Sequence, residues 1–246
     1  MRKILAAGVV LLIWAVQTVW ADSGDELLKK ADEAFFPVDV GYFKVFMEDY
    51  EGNKYRRYYR VEIFTRDDKY LLIGLEPSLI KGFVQLRVGD IIYSYIRRID
   101  RMEQLSAKAA FQSSALSQED IMNTSLAKLY NLQSYEEGSL DGKKVYVLHL
   151  TARTKEVAYY GIVSYIDAES YELIKRDYFT FSGDKVREMI VNEIRKENGE
   201  HKAVSFTFHD TLRQGYYTKV KIYDFNYHIE APETYFTRSY MKAVAK

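Results

Sequence analysis

Short segments rich in aromatic and β-branched residues, separated by turn residues, recur along most of the chain. Turns such as Gly52-Asn53, Gly89-Asp90 and Asp141-Gly142 punctuate them, at intervals of about 8–12 residues that are typical of antiparallel sheets. The 246 residues include 22 Tyr and 13 Phe, and aromatic side chains at this density favour strands and large apolar surfaces. The pattern predicts a mainly β protein.

About eleven segments fit a strand. One of them, Lys185 to Arg195, also has apolar residues at helical spacing, but Ser182-Gly183-Asp184 and Asn198-Gly199 bracket it as hairpin turns, so we interpret it as a strand. The predicted strands are residues 54–65, 69–75, 82–88, 91–96, 144–150, 157–166, 171–181, 185–195, 201–209 and 216–225, with one more following residue 38.

Two segments have the composition of helices. Asp25 to Phe36 carries apolar residues at helical spacing, which predicts a short amphipathic helix at the N-terminus. Arg101 to Gln133 contains no Gly or Pro, and Ser117-Gln118-Glu119-Asp120 is typical of a capping box. We therefore expect a helical insert at about 101–133. No Pro- or Ser-rich linker divides the chain, so residues 22–246 are predicted to form one α+β domain.

The N-terminus has the layout of an exported protein. Met1-Arg2-Lys3 is basic, Ile4 to Val19 is almost wholly apolar, and Ala21 precedes a polar run, which predicts a cleaved signal peptide over residues 1–21. The alternative is an uncleaved membrane anchor, for which the apolar stretch is short. An exported chain without cysteine fits a bacterial periplasm, where no disulfide is obligatory.

The charge balance and the absent motifs argue against several classes of function. The 35 basic and 35 acidic side chains cancel, so we expect no nucleic-acid partner. The chain has no phosphate loop, nucleophile elbow or zinc motif, and it lacks cysteine. We therefore predict no cofactor, no metal and no catalytic residue. A Ser-His-Asp hydrolase stays open at this stage, because the members of such triads meet in space rather than in sequence.

A series of motifs, taken in order, resembles a known family. Tyr93-Ser94-Tyr95 is followed by Arg97, Arg98 and Arg101, and then by a run from Phe111 that ends in Glu119-Asp120-Ile121. The chain closes with Tyr235-Phe236-Thr237-Arg238. This order resembles the outer-membrane lipoprotein-sorting proteins, the periplasmic Lol carriers with the LolA/LolB fold. Two departures are the Arg97 that stands where the family has Pro, and Ser113-Ser114-Ala115 in place of Gly-Ser-Asp.

The resemblance implies an unclosed antiparallel β-barrel of about eleven strands, whose apolar cavity is covered by a helical lid. Such a cavity can hold an acyl chain without a covalent step, because each buried CH₂ contributes roughly 0.8 kcal/mol. The residues expected to line the cavity are Ile63, Val84, Leu86, Tyr93, Tyr95, Val147 and Phe179. The residues expected in or against the lid are Arg66, Arg97, Arg98, Arg101, Phe111, Leu116 and Ile121.

The expected function is a monomeric periplasmic carrier of lipid or lipoprotein acyl chains. Its partners would be an inner-membrane transporter or an outer-membrane acceptor. Two alternatives stay open: a lipid esterase or phospholipase on the same fold, and an envelope interaction module with a packed interior and no lipid.

Overall fold

A computed structural model describes residues 24–35, 41–122, 125–197, 200–226 and 229–245. The predicted signal peptide lies outside these residues. Within them, no helix is both long and apolar enough to cross a membrane.

The core of the molecule is one antiparallel sheet of thirteen strands in the order β6-β5-β4-β3-β2-β1-β13-β12-β11-β10-β9-β8-β7. Strand β1 pairs with both β2 and β13, so it joins two consecutive meanders, and β6 and β7 are the edges. The strands are β1 (Tyr42–Glu51), β2 (Lys54–Arg66), β3 (Lys69–Glu76), β4 (Phe83–Val88), β5 (Ile91–Ile96), β6 (Arg101–Leu105), β7 (Tyr130–Leu140), β8 (Lys143–Ala152), β9 (Gly161–Asp167), β10 (Leu173–Phe179), β11 (Lys185–Glu197), β12 (Glu200–Asp210) and β13 (Tyr216–Asn226).

In the part of the chain that the structure describes, the helices are few and mostly short. They are α1 (Gly24–Phe35), the single turns α2 (Gln118–Ile121) and α3 (Leu126–Leu129), and α4 (Arg238–Val244), with 3₁₀ turns at Arg97–Ile99, Phe111–Ser113 and Glu233–Phe236. The carboxylate of Asp32 in α1 accepts hydrogen bonds from the backbone N–H of Leu126 and Ala127. Asp32 therefore caps the N-terminus of α3 and ties the two helices together.

Strand alternation assigns side chains to two faces of the sheet. In β1, Phe43, Val45 and Met47 are buried, and each is followed by a half-buried residue. Their partners across the ladder include Ile222, which lies opposite Val45. These residues belong to the larger apolar cluster, which we call the inner face. Helix α1 and residues 106–122, which we call the covering loop, contribute buried side chains to the same cluster.

The outer face of β3–β5 carries a second, smaller apolar cluster. Its members from the sheet are Leu71, Val84, Leu86 and Tyr95. They pack against residues 229–245, which we call the C-terminal segment. That segment contributes Ala231, Phe236, Met241 and Ala245. The C-terminal segment therefore shields from water a sheet face that would otherwise be exposed and apolar.

The mainly β class is confirmed, and the ambiguous segment 185–195 is a strand, β11. The sheet has two more strands than predicted, β6 and β7. Strand β6 lies within the stretch 101–133 that was expected to be helical, and β7 begins in it. The helical insert is therefore wrong: in the described residues of this stretch, the helices are single turns. Strand β7 is a mostly exposed, polar edge, and a strand with little apolar patterning is hard to tell from a solvated helix.

Candidate functional site

The inner face contains a small apolar cavity beneath the covering loop. Its volume is about 30 Å³, which is room for very little water and far below the roughly 300–1,000 Å³ of a typical ligand pocket. The walls come from three neighbouring strands and from the covering loop. The lining residues are Phe43 and Val45 of β1, Phe206 and Phe208 of β12, Val220 and Ile222 of β13, and Leu116, Asp120 and Ile121 of the covering loop.

The covering loop fills the inner face with its own apolar side chains. Phe111 is fully buried, and its ring packs edge-on against the rings of Tyr59 and Phe83, with centroids 6.2 Å apart in each pair. Leu116 and Ile121 are also buried and form part of the cavity wall. These side chains therefore leave little empty space between the covering loop and the sheet.

A polar cluster at one end of the covering loop, the Asp49 anchor, fixes the loop to β1, β2 and β13. The buried Asp49 carboxylate accepts hydrogen bonds from Arg57 Nε at 2.8 Å and from Thr218 Oγ1 at 2.6 Å. Thr218 Oγ1 in turn accepts from the backbone N–H of Ala115 in the loop, at 2.9 Å. Asp49 lies opposite both Arg57 and Thr218 in the ladder, so strand register preorganises the anchor.

Backbone carbonyls of the covering loop complete the Asp49 anchor. The carbonyl oxygen of Ser113 accepts from Arg57 at 3.1 Å, from Tyr216 at 3.1 Å and from Arg213 at 3.2 Å. Arg213 also donates to the carbonyl of Ser114 at 3.0 Å. Two cationic side chains therefore hold loop carbonyls, which are contacts that can be exchanged for water at modest cost.

A second polar cluster, the Asp120 anchor, holds the other end of the loop to the far half of the sheet. Asp120 Oδ2 lies 3.2 Å from Arg187 Nη1 and accepts from the hydroxyl of Tyr159 at 2.5 Å. The same carboxylate and the hydroxyl of Ser117 form the capping box of α2, which confirms the capping box read from the sequence. Burial and the neighbouring Asp120 raise the pKa of Tyr159 well above its usual value, so its hydroxyl remains a donor.

Glu119 adds a buried acid beside the Asp120 anchor. Its carboxylate accepts from the backbone N–H of Ala158 at 2.8 Å and from the hydroxyl of Tyr130 at 3.1 Å. Burial raises the pKa of Glu119, and these two hydrogen bonds oppose the shift only in part. At the end of the loop, Arg87 donates to the carbonyl of Met122 at 3.1 Å.

The backbone of the covering loop is strained where the Asp49 anchor holds it. Gln112 and Ser113 have φ angles of 47° and 61°, a left-handed conformation that costs non-glycine residues free energy. The hydroxyl of Tyr59 donates to the carbonyl of Gln112 at 3.0 Å. Tertiary contacts therefore hold this turn in a conformation that its own residues disfavour.

The structure divides the seven predicted cavity residues between the two faces of the sheet. Ile63 belongs to the inner-face cluster. Val147 and Phe179 alternate with Leu148 and Tyr178 of that cluster, so they point to the opposite face. The other four, Val84, Leu86, Tyr93 and Tyr95, pack against the C-terminal segment on the outer face.

The predicted lid residues are likewise divided. Phe111, Leu116 and Ile121 belong to the covering loop. Arg66 instead donates to the carbonyl of Ala231 and pairs with two glutamates of the C-terminal segment, and Arg101 pairs with Glu103 on β6. Arg97 and Arg98 line a separate groove of about 440 Å³, together with Ser78, Leu79, Ile80, Lys81, Gly82, Phe83, Ile96 and Gln112.

Sequence reasoning missed the residues that hold the covering loop from the sheet side. They are Asp49, Arg57, Tyr159, Arg187, Arg213, Tyr216 and Thr218. One signal pointed to Asp49: it follows Phe43, Val45 and Met47 at the same two-residue spacing, so alternation places an acid on an apolar face.

The two histidines whose side chains are described are not arranged as in a Ser-His-Asp triad. Of the described histidine side chains, His149 lies 3.7 Å from Glu136 at the surface and His209 packs against the ring of Tyr217. Within the described part of the chain, neither forms a hydrogen bond with a serine. No group of three or more potential metal ligands occurs in the described part of the chain.

Comparison with solved structures identifies the fold. The LolA superfamily protein NE2245 from Nitrosomonas europaea is 20% identical, with a TM-score of 0.83 over 89% of this chain and 100% of that chain. A DUF1329 family protein from Desulfovibrio piger is 21% identical, with a TM-score of 0.75 over 89% and 97% of the two chains. An outer membrane lipoprotein-sorting protein domain from Vibrio parahaemolyticus is 16% identical, with a TM-score of 0.76 over 89% and 98%.

The sequence comparisons define the family. No curated protein matches the chain, whereas a family model described as "Uncharacterized protein" matches residues 66–243. The match spans most of the sheet, the covering loop and the C-terminal segment. The chain therefore belongs to this family of uncharacterised proteins, and its fold is that of the LolA superfamily and of outer-membrane lipoprotein-sorting domains.

Proposed function

We propose that the protein is a carrier of lipid acyl chains in the bacterial cell envelope, with the covering loop as a movable lid over an unclosed barrel. The observation that carries this proposal is the construction of the inner face: apolar strands are covered by a loop that polar anchors hold at both ends. The fold shared with lipoprotein-sorting domains gives further support. The partners proposed for this carrier are lipid or lipoprotein acyl chains, together with an inner-membrane transporter or an outer-membrane acceptor.

On this proposal, the cavity of about 30 Å³ corresponds to a closed conformation without a bound acyl chain. A hydrocarbon chain enters only when Leu116 and Ile121 leave the inner face. Loop hydrogen bonds then exchange for water at about 1 kcal/mol each, while a chain of ten buried CH₂ groups contributes roughly 8 kcal/mol. The bound acyl chain replaces the apolar contacts that the covering loop loses on opening. Loop opening and lipid loading are therefore expected to occur together.

The packed interior favours one other candidate, an envelope interaction module that holds no lipid. The two candidates differ in whether the covering loop must move. The hydrogen bond from the Ala115 N–H to Thr218 Oγ1 places these two residues side by side, which makes them candidates for an engineered disulfide whose formation is checked by mass spectrometry before binding is measured. Because the natural chain has no cysteine, Ala115→Cys/Thr218→Cys provides one defined crosslink.

The test measures binding of a fluorescent palmitoyl probe to the oxidised and the reduced double variant. We expect the reduced protein to bind the probe and the oxidised protein to lose at least about tenfold in affinity, a change of about 1.4 kcal/mol. Wild-type protein carried through the same oxidation is the control. No binding by wild-type or reduced protein would support the packed module and reject the carrier.

A further inference from the structure

The groove that contains Arg97 and Arg98 opens beside the covering loop. Its volume of about 440 Å³ is in the range of small-molecule sites. Phe83 and Gln112 are shared between the groove wall and the loop region: Phe83 packs against Phe111, and Gln112 is itself a loop residue. A molecule in the groove would therefore touch the edge of the proposed lid.

The groove has an excess of positive charge. Lys81, Arg97 and Arg98 all line it and are exposed, and its wall contains no carboxylate. Across the described residues, none of the three forms an ion pair within 4.0 Å, whereas Arg60 and Arg66 are paired with glutamates.

The acids that flank the groove in sequence are engaged elsewhere. Asp100 accepts a hydrogen bond from the Tyr95 hydroxyl at 2.9 Å and lies 3.7 Å from the ammonium of Lys242. Glu76 pairs with Arg60 at 3.2 Å. The cations of the groove thus remain available to an anion from solution, and arginine is well suited to phosphate because it can donate two parallel hydrogen bonds.

A buried amide lies between the groove and the far end of the covering loop. Gln85 is on the inner face of β4, two residues from Phe83 and two from Arg87, and it is 0% exposed. The loop passes over it, because Phe111 packs on Phe83 while Met122 accepts a hydrogen bond from Arg87.

Neither polar atom of the Gln85 side chain has a hydrogen-bond partner among the described residues. Its ladder partner on β5 is Ser94, another buried polar residue. A buried amide without a partner is unfavourable, and such groups call for an explanation. Gln85 does not line the groove in this conformation, so a polar group from the groove can donate to it or accept from it only after the covering loop moves off Phe83.

We propose that the groove binds the phosphate head of an anionic lipid and that Gln85 hydrogen-bonds its ester linkage, while the chain lies on the inner face. This inference rests on the proposed carrier function and narrows its ligand to one class. Lys81, Arg97 and Arg98 neutralise the head, Gln85 and Ser94 contact the linkage, and the apolar strands hold the hydrocarbon.

The test uses residues 22–246, the chain expected after signal-peptide cleavage. Isothermal titration calorimetry measures its affinity for three probes: palmitoyl-lysophosphatidylglycerol, monopalmitoylglycerol and inorganic phosphate. The first two share an ester and a chain and differ in the charged head. Wild-type protein is expected to bind the anionic lipid at least about tenfold more tightly than the neutral one, as expected for hydrogen bonds to a charged group. Arg97→Gln/Arg98→Gln should remove this preference.

Lys143→Gln/Lys144→Gln is the matched control, since it also removes two adjacent exposed cations, at the start of β8. It should keep the preference for the anionic lipid. Gln85→Leu should weaken binding of both ester lipids several-fold and leave the unfolding midpoint equal or higher, because no hydrogen bond of the fold is lost.

Each of the other possible outcomes rejects one part of the proposal. Equal binding of the two lipids by wild-type protein, or an unchanged preference in Arg97→Gln/Arg98→Gln, rejects the head-group site but leaves the carrier function standing. Inorganic phosphate bound as tightly as the lysolipid makes the groove a site for free phosphate. Unchanged lipid binding in Gln85→Leu removes Gln85 from the site. Failure of wild-type protein to bind either lipid rejects the carrier function itself.

Discussion

Single polar residues on an apolar face decide how the covering loop is held. Asp49 and Thr218 take positions that strand alternation assigns to the inner face, and both are fully buried. A buried carboxylate is tolerated only when its lone pairs are satisfied, and here Arg57 and Thr218 satisfy them. The Asp49 anchor is therefore a specific attachment point for the loop.

A second single residue, Glu119, leads to a prediction about how the stability of the protein depends on pH. Because its folded pKa lies above the ordinary value, the folded state binds this proton more tightly than the unfolded state does. That contribution to stability is complete below the ordinary pKa of about 4.5 and is lost as the pH rises through the folded value. We expect Glu119→Gln, which stays neutral, to gain thermal stability relative to wild type as the pH is raised from 4.5 to 7.5.

The measurement is the difference in thermal midpoint between Glu119→Gln and wild type across that pH range. Glu137→Gln, an exposed acid on β7, is the control and should show no comparable trend. A difference that stays constant from pH 4.5 to 7.5 would mean that Glu119 does not titrate with folding.

Among the elements, the covering loop is the least regular, and its strain is local. Ser113 is exposed with φ at 61°, and its carbonyl, not its side chain, serves the Asp49 anchor. Glycine adopts this conformation without the steric cost. We expect Ser113→Gly to stabilise the protein by about 0.5–1 kcal/mol, measured by urea unfolding.

Ala110 provides the matched control for that prediction. It is an exposed residue of the same loop with an extended backbone, φ −66° and ψ 134°. Ala110→Gly only increases the entropy of the unfolded chain there, so it should destabilise by about 0.5–1 kcal/mol. The same sign for both glycine variants would contradict the strain assigned to Ser113.

At the scale of the whole molecule, the sheet separates two apolar layers that are covered by different segments. Val220 lines the cavity under the covering loop, whereas Val84 packs against the C-terminal segment on the outer face. Both are buried valines on strands, so they form a matched pair. Phenylalanine at either position should cost about 1–3 kcal/mol through overpacking.

Only the variant on the inner face should affect a ligand. We expect Val220→Phe to weaken binding of a palmitoyl chain at least about tenfold, because the ring occupies the path of the chain, and Val84→Phe to leave it unchanged. Binding titrations at a temperature where both variants are folded provide the measurement. A loss of affinity in Val84→Phe but not in Val220→Phe would place the cavity on the outer face.

Local patterns in the sequence determined the elements of this protein. Turn residues and alternation identified eleven of the thirteen strands, and Ser117 to Asp120 identified the capping box, because each depends on residues within a few positions of one another. Strands β6 and β7 were not predicted, because edge strands bury few side chains and so have a weak apolar pattern. Helix α4 was missed as well, and with it the cover of the outer face.

Only the tertiary structure decided which apolar face is the interior and what closes it. Val84, Leu86, Tyr93 and Tyr95 satisfy the same pattern as inner-face residues, since a strand covered on both sides is apolar on both sides. The covering loop is held by Asp49, Arg213 and Thr218, which lie tens of residues away in the chain. Their meeting depends on the pairing of β1 with β13, and long-range strand pairing is not encoded in any local segment.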